Sequence, residues 1–178
     1  MTNKAEGYLV VLVESEYVLP TNPRYRGLYR LPPYPSRVPE EEQAVEDYVF
    51  GSYKNKEGLI PESALARELL TRLSKSPRRF EIIYARAYAG GRELLQAEPL
   101  HFLGYDVGCP SPFWSIVGDF PIELSSHSAR LNEYGLFKEV GDAEAYLRAY
   151  HEGSFADDSP RLRIWEVYLD RTRRASPD

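Results

Sequence analysis

Six prolines fall between positions 20 and 39, at 20, 23, 32, 33, 35 and 39. Each lacks a backbone donor, fixes its own φ and biases the residue before it toward extended geometry. Regular helix is therefore excluded from this stretch. Interleaved with the prolines are Tyr25, Tyr29 and Tyr34 and the cations Arg24, Arg26, Arg30 and Arg37. The reading is a long loop, rich in proline, tyrosine and arginine, of the kind that in a compact domain usually carries function.

Around this loop the hydrophobic pattern predicts an α+β fold. Residues 7–14, Gly-Tyr-Leu-Val-Val-Leu-Val-Glu, are apolar on both alternating faces and suit a strand at the centre of a sheet. Pro39 and Glu40 to Glu42 open a first helix that runs to about Val49. Pro61 opens a second, with Leu65, Ala66, Leu69, Leu70 and Leu73 on one face, until Ser76-Pro77 ends it. A third has Asp142 as N-cap and Ala143, Tyr146, Leu147 and Tyr150 as its stripe, and Gly153 closes it. Further strands are expected over residues 80–88, over 100–107 with a break at Gly108, and over 162–169, where Trp165, Val167 and Leu169 share a face. An irregular aromatic segment runs through Trp114 to Pro121, and residues 125–139 have no clean period. No internal repeat is found. Strands and helices do not alternate as regular βα units, so the expectation is a single domain over 1–170, with a mostly antiparallel sheet and about three helices packed on one face. Residues 171–178, with Arg171, Arg173 and Arg174, form a flexible tail.

With 178 residues the chain is long enough for a hydrophobic core, and its one cysteine cannot form an internal disulfide. No apolar run has the length of a membrane helix, and the N-terminus lacks the pattern of a signal peptide, so a cytoplasmic protein without membrane contact is expected. A net charge of −5 repels polyanions and argues against nucleic acid as the partner. The acids are unevenly spread, with Glu40, Glu41, Glu42, Glu46 and Asp47 directly after the arginine-rich loop.

Catalytic signatures are sparse. Cys109, with His101 upstream and His127 downstream, allows a thiol nucleophile with an imidazole base, but no basic neighbour or helix start accompanies it. Asp106 and Asp119 allow a carboxylate pair, and both also fit ordinary turns. His101, His127 and His151 lack metal-ligand spacing, so neither a metal nor a cofactor is expected. Nucleotide-binding glycine motifs and common hydrolase motifs are absent.

The arginine and tyrosine alternation is the strongest feature outside the core. These residues combine contact area with polar tips, which favours a protein-binding surface built on Tyr25, Arg26, Tyr29, Arg30 and Trp114. Glu41 and Glu42 offer a second surface, which would steer a basic partner. The same loop would serve equally to cover its own core, and self-association uses the same residue types.

Three segments, Phe102-Leu-Gly-Tyr-Asp-Val-Gly108, Phe113-Trp-Ser-Ile116 and Leu131-Asn-Glu-Tyr-Gly-Leu-Phe137, resemble parts of the immunity proteins encoded beside bacterial polymorphic toxins. The resemblance spans residues 82–169 by pattern and carries no catalytic residue across. It implies a non-enzymatic cytoplasmic inhibitor that occludes the active site of a cognate toxin. A small enzyme using Cys109 and a small-molecule-binding domain are the competing classes.

Overall fold

The computed structural model describes residues 5–19, 22–30, 55, 58–73, 79–91, 93–110, 113–115, 126–127, 129–153 and 162–172. Six strands form one sheet: β1 (Glu6–Leu19), β2 (Asn22–Arg30), β3 (Phe80–Ala87), β4 (Leu100–Pro110), β5 (Phe113–Ser115) and β6 (Arg163–Asp170). Two helices, α1 (Ser63–Leu73) and α2 (Val140–Glu152), lie among the described residues. The sheet order is β2-β1-β3-β6-β4-β5 and every pairing is antiparallel. The α+β class and antiparallel sheet agree with the sequence. The helix expected over 39–49 lies outside the described residues.

Several boundaries differ from expectation. Residues 22–30, expected within the long loop, pair with β1 from Asn22 opposite Leu19 to Arg30 opposite Leu12. Pro23 is accommodated because β2 is an edge strand and its pairing skips from Asn22 to Arg26 through an irregularity. Residues 31–39 lie outside the described set. β4 continues through Gly108, Cys109 and Pro110, because β5 pairs there, Cys109 opposite Trp114. Glu139, not Asp142, is the N-cap of α2, and Asp142 in the first turn instead bonds Arg130 at 2.8 Å. Arg171 and Thr172 are held in place: Arg171 N–H donates to the Pro99 carbonyl at 2.9 Å, and Thr172 N–H to Asp170 Oδ1 at 2.8 Å.

The strand order reads the same from both ends, and the sequence carries the reason. Asn55-x-x-Gly58-Leu59-Ile60 precedes α1 as Asn132-x-x-Gly135-Leu136-Phe137 precedes α2, and at the same spacing Ala66 matches Ala143 and Leu70 matches Leu147. Both turns are built by one hydrogen-bond pattern. The asparagine N–H donates to the leucine carbonyl, at 2.8 Å in each copy. Its Oδ1 accepts the leucine N–H, at 3.0 Å from Leu59 and 3.1 Å from Leu136. Its Nδ2 reaches back to a strand carbonyl, Glu6 at 3.2 Å and Leu103 at 2.7 Å. Gly58 and Gly135 sit at φ 76° and 72°, where a β-carbon is strained.

The residue after each of those carbonyls is also glycine. A Cβ on Gly7 would lie 2.7 Å from the Ile60 carbonyl oxygen, and one on Gly104 would lie 2.8 Å from that of Phe137. Next in line, Tyr8 exchanges both backbone bonds with Ile60, and Tyr105 with Phe137. The chain is therefore two related units, β1-β2-turn-α1-β3 and β4-β5-turn-α2-β6, joined across β3 and β6. The expectation of no repeat is corrected. The repeat escapes a reading for regular periods because the copies share turn and core positions and differ in loop length.

Alternation places Ile82, Tyr84 and Arg86 of β3 and Ile164, Glu166, Tyr168 and Asp170 of β6 on one face. α2 covers one end of it, where Ala143 and Tyr146 form a buried cluster with Val107, Phe137 and Ile164. α1 lies over the other end, where Arg67 reaches Asp170. On β1, β3 and β6 the opposite face buries the apolar Leu9, Val11, Ile83, Ala85, Trp165 and Val167. Both faces of the central strands are thus covered, as the continuous apolar run of β1 requires.

Candidate functional site

The axis relating the two units passes through the Ala85–Val167 pair of β3 and β6. Two cross-strand rows flank it on the helix-bearing face. One row is aromatic: Tyr8, Tyr84, Tyr168 and Phe102 stand opposite one another on β1, β3, β6 and β4. The other is charged: Glu6, Arg86, Glu166 and Tyr105 occupy the same four strands two positions along, three on β4, where the register shifts between Phe102 and Gly104. The rotation that matches Tyr8 with Tyr105 matches Tyr84 with Glu166 and Arg86 with Tyr168. The units agree at their turns and differ at their junction.

Glu166 is fully buried, and Arg86 is 5 % exposed. Arg86 Nε donates to Glu166 Oε2 at 2.7 Å, and its Nη2 donates to the same oxygen. The Tyr168 hydroxyl donates to that oxygen as well, at 2.7 Å. The segment 93–97 closes over the group: Arg86 Nη2 donates to the Glu93 carbonyl at 3.0 Å, and Leu95 N–H donates to the Tyr168 hydroxyl at 3.1 Å. Oε2 of Glu166 is saturated with donors. Oε1, equally buried, has none.

Aromatic rings surround this network in a continuous arc. Centroid separations run 5.1 Å from Tyr8 to Tyr84, 6.1 Å to Tyr168, 5.3 Å to Phe102, 5.1 Å to Tyr105 and 6.0 Å to Tyr88. The last three contacts are edge-on, the geometry the ring quadrupole prefers. Burial, reinforced by the Glu166 carboxylate, pushes the Tyr168 phenol up to about 12 against a lowering by the Leu95 bond. Tyr105 is raised by burial and by Glu166, and Tyr84 by burial and Glu6. All three phenols stay neutral at physiological pH. Burial works against the Arg86 charge, but the bonds and field of Glu166 outweigh it and leave the guanidinium raised.

Sequence reading did not single out Arg86, Glu166 or Tyr168. Their signal was a charge set between apolar residues inside a strand, Arg86 after Ile-Ile-Tyr-Ala and Glu166 between Ile-Trp and Val. They are 80 positions apart in sequence, so only strand pairing joins them.

The residues that sequence did single out are spread over the sheet. Positions 25, 26, 29 and 30 lie on β2, at one edge, and position 114 on β5, at the other. Five strand spacings separate the edges, about 24 Å. Glu41 and Glu42, like Asp119, lie outside the described residues. Cys109 and His101 are both on β4, eight residues apart, which is about 26 Å of extended chain, so they cannot act as nucleophile and base. His127 stacks edge-on against Tyr146, 5.6 Å between centroids. Burial and Arg130 hold its imidazole below the usual value. Asp106 is buried and bonds its neighbour's N–H, that of Val107, at 2.8 Å. It stands opposite Trp165, on the face away from the charged row. Among the described residues no group of three His, Cys, Asp or Glu could hold a metal ion, and no helix is long and apolar enough to cross a membrane.

Leu131 to Phe137 is the second copy of the Asn-Gly-Leu turn, and Phe102 to Gly108 lies in the strand it pairs with. No family model, curated protein or solved structure matches the chain.

Proposed function

We propose that the protein is a non-enzymatic protein-binding module of the immunity type, which neutralises a cognate bacterial toxin by covering its active site. The observation that supports this reading is the placement of Tyr25, Arg26, Tyr29 and Arg30 together on β2, the edge strand of the sheet. An edge strand offers its outward N–H and C=O groups to a partner, and tyrosine and arginine are the residue types that anchor interfaces. Trp114, on the far edge, belongs to a second contact or to none. The net charge of −5 complements a basic partner, and Glu41 and Glu42 would then accelerate encounter.

The test is co-expression with the toxin domain encoded beside this gene, followed by a dissociation constant for the purified pair. Protection of the host and tight binding are expected. Tyr29→Ala and Arg30→Glu each weaken the complex by roughly thirtyfold or more, the cost of a hot-spot residue. Charge reversal at Glu41 and Glu42 slows association in a salt-dependent manner and leaves dissociation nearly unchanged. A neighbouring toxin that neither binds nor is neutralised would overturn the reading.

A further inference from the structure

The junction of the two units holds a second candidate site, independent of the β2 edge. A buried carboxylate oxygen without a donor forfeits a hydrogen bond that folding removed from water, and Glu166 Oε1 is such an atom. The three donors that meet Glu166 among the described residues all converge on Oε2, and none of them serves Oε1. Its cross-strand neighbour on the side away from Arg86 is Tyr105, whose ring meets Phe102 and Tyr88 edge-on. Carboxylates raise each surrounding phenol, Glu6 acting on Tyr84, Glu166 and Glu139 on Tyr105 and Glu166 on Tyr168, with Arg86 opposing them. A group that satisfies all of this donates a hydrogen bond, carries positive charge and tolerates aromatic walls.

We propose that Glu166 Oε1, within the arc of Phe102, Tyr105 and Tyr88, is a binding site for a small primary alkylammonium ion. Its N–H donates to the carboxylate and its charge lies against the rings. The segment 93–97, held to the network by Leu95 N–H and the Glu93 carbonyl, must part to admit it. A quaternary ammonium of similar charge has no N–H to give and is rejected.

The experiment is an NMR titration of the full chain with methylammonium chloride, and in parallel with tetramethylammonium chloride. It follows the Leu95 amide and the Arg86 Nε–H, the two protons bonded directly to the network. Saturable shifts of both with methylammonium alone are expected, and Glu166→Gln weakens binding roughly tenfold, as loss of one charge-assisted bond requires. Should that variant not fold, the wild-type comparison still decides. Equal shifts with both salts, or none with either, overturn the proposal. So does a crystal structure in which an ordered water holds Oε1 and stays there in methylammonium.

Discussion

The two units of this protein match where the chain turns and diverge where the units meet. At the turns each copy needs the same three things: an asparagine whose side chain serves both a following N–H and a preceding strand carbonyl, a glycine at positive φ, and a glycine where two backbones touch. These demands are local and stereochemical, and few residues meet them. At the junction the constraint is different. Symmetry would set identical side chains about the axis, and a second glutamate at position 84 would lie diagonally across the strand pair from Glu166, two like charges in a dry interior. Tyr84 in place of a second glutamate and Arg86 in place of a second Tyr168 remove that conflict, and yield one neutralised pair instead. A duplicated fold thereby gains one asymmetric, polar centre.

The largest test of this contrast is at the junction. Glu166→Ala should destabilise the fold by about 3–5 kcal/mol in urea denaturation, because it leaves Arg86 buried and unpaired. Replacing both, Arg86→Met with Glu166→Leu, should recover most of that loss. A double variant as unstable as the single would mean that the ion pair is not the reason for the asymmetry.

At the turns the two copies should respond alike. Gly7→Ala and Gly104→Ala each push a Cβ to within 3 Å of a backbone oxygen, and should cost about 1–3 kcal/mol. Gly104, at φ 151°, should suffer more. Asn55→Ala and Asn132→Ala remove the shared set of side-chain bonds and should cost about 1–3 kcal/mol each. If one asparagine proves silent in thermal unfolding, the correspondence between the units is only geometric.

Alkaline pH probes the junction without mutation. The folded state holds the Tyr168 proton to about 12, whereas the unfolded chain releases it near the ordinary phenol value of about 10. The unfolded state therefore binds fewer protons in that window, and stability should fall as pH rises through it. Denaturation midpoints measured across this range, with Tyr168→Phe as control, should show a smaller alkaline slope in the variant. The smallest effect is expected at Arg67, whose pairing with Asp170 is long, at 3.7 Å, and half in solvent. Arg67→Ala should change stability by less than about 1 kcal/mol.

Much of the fold was legible in the sequence because hydrophobic period and turn chemistry act over a few residues. The stripe Leu65, Ala66, Leu69, Leu70 and Leu73 located α1, and the β-branched runs located β1, β3 and β6. Prolines misled at 22–30, since an edge strand tolerates a proline that a central strand would not. The likeness of Asn55-x-x-Gly58-Leu59 to Asn132-x-x-Gly135-Leu136 was also in the sequence, but its meaning lay in the backbone bonds it makes.

By itself, then, the sequence determined most of the described elements, the strands β1, β3, β4 and β6 and the helices α1 and α2, with the class they belong to and the acidic character of the whole. Only the tertiary structure decided which charges meet. Arg86 and Glu166 are each an ordinary charge among apolar neighbours, and each becomes a partner only through the register that sets β3 against β6. The physical reason is range. Propensity and periodicity are read along the chain, whereas burial, pairing and an unserved carboxylate oxygen arise between segments that only folding brings together.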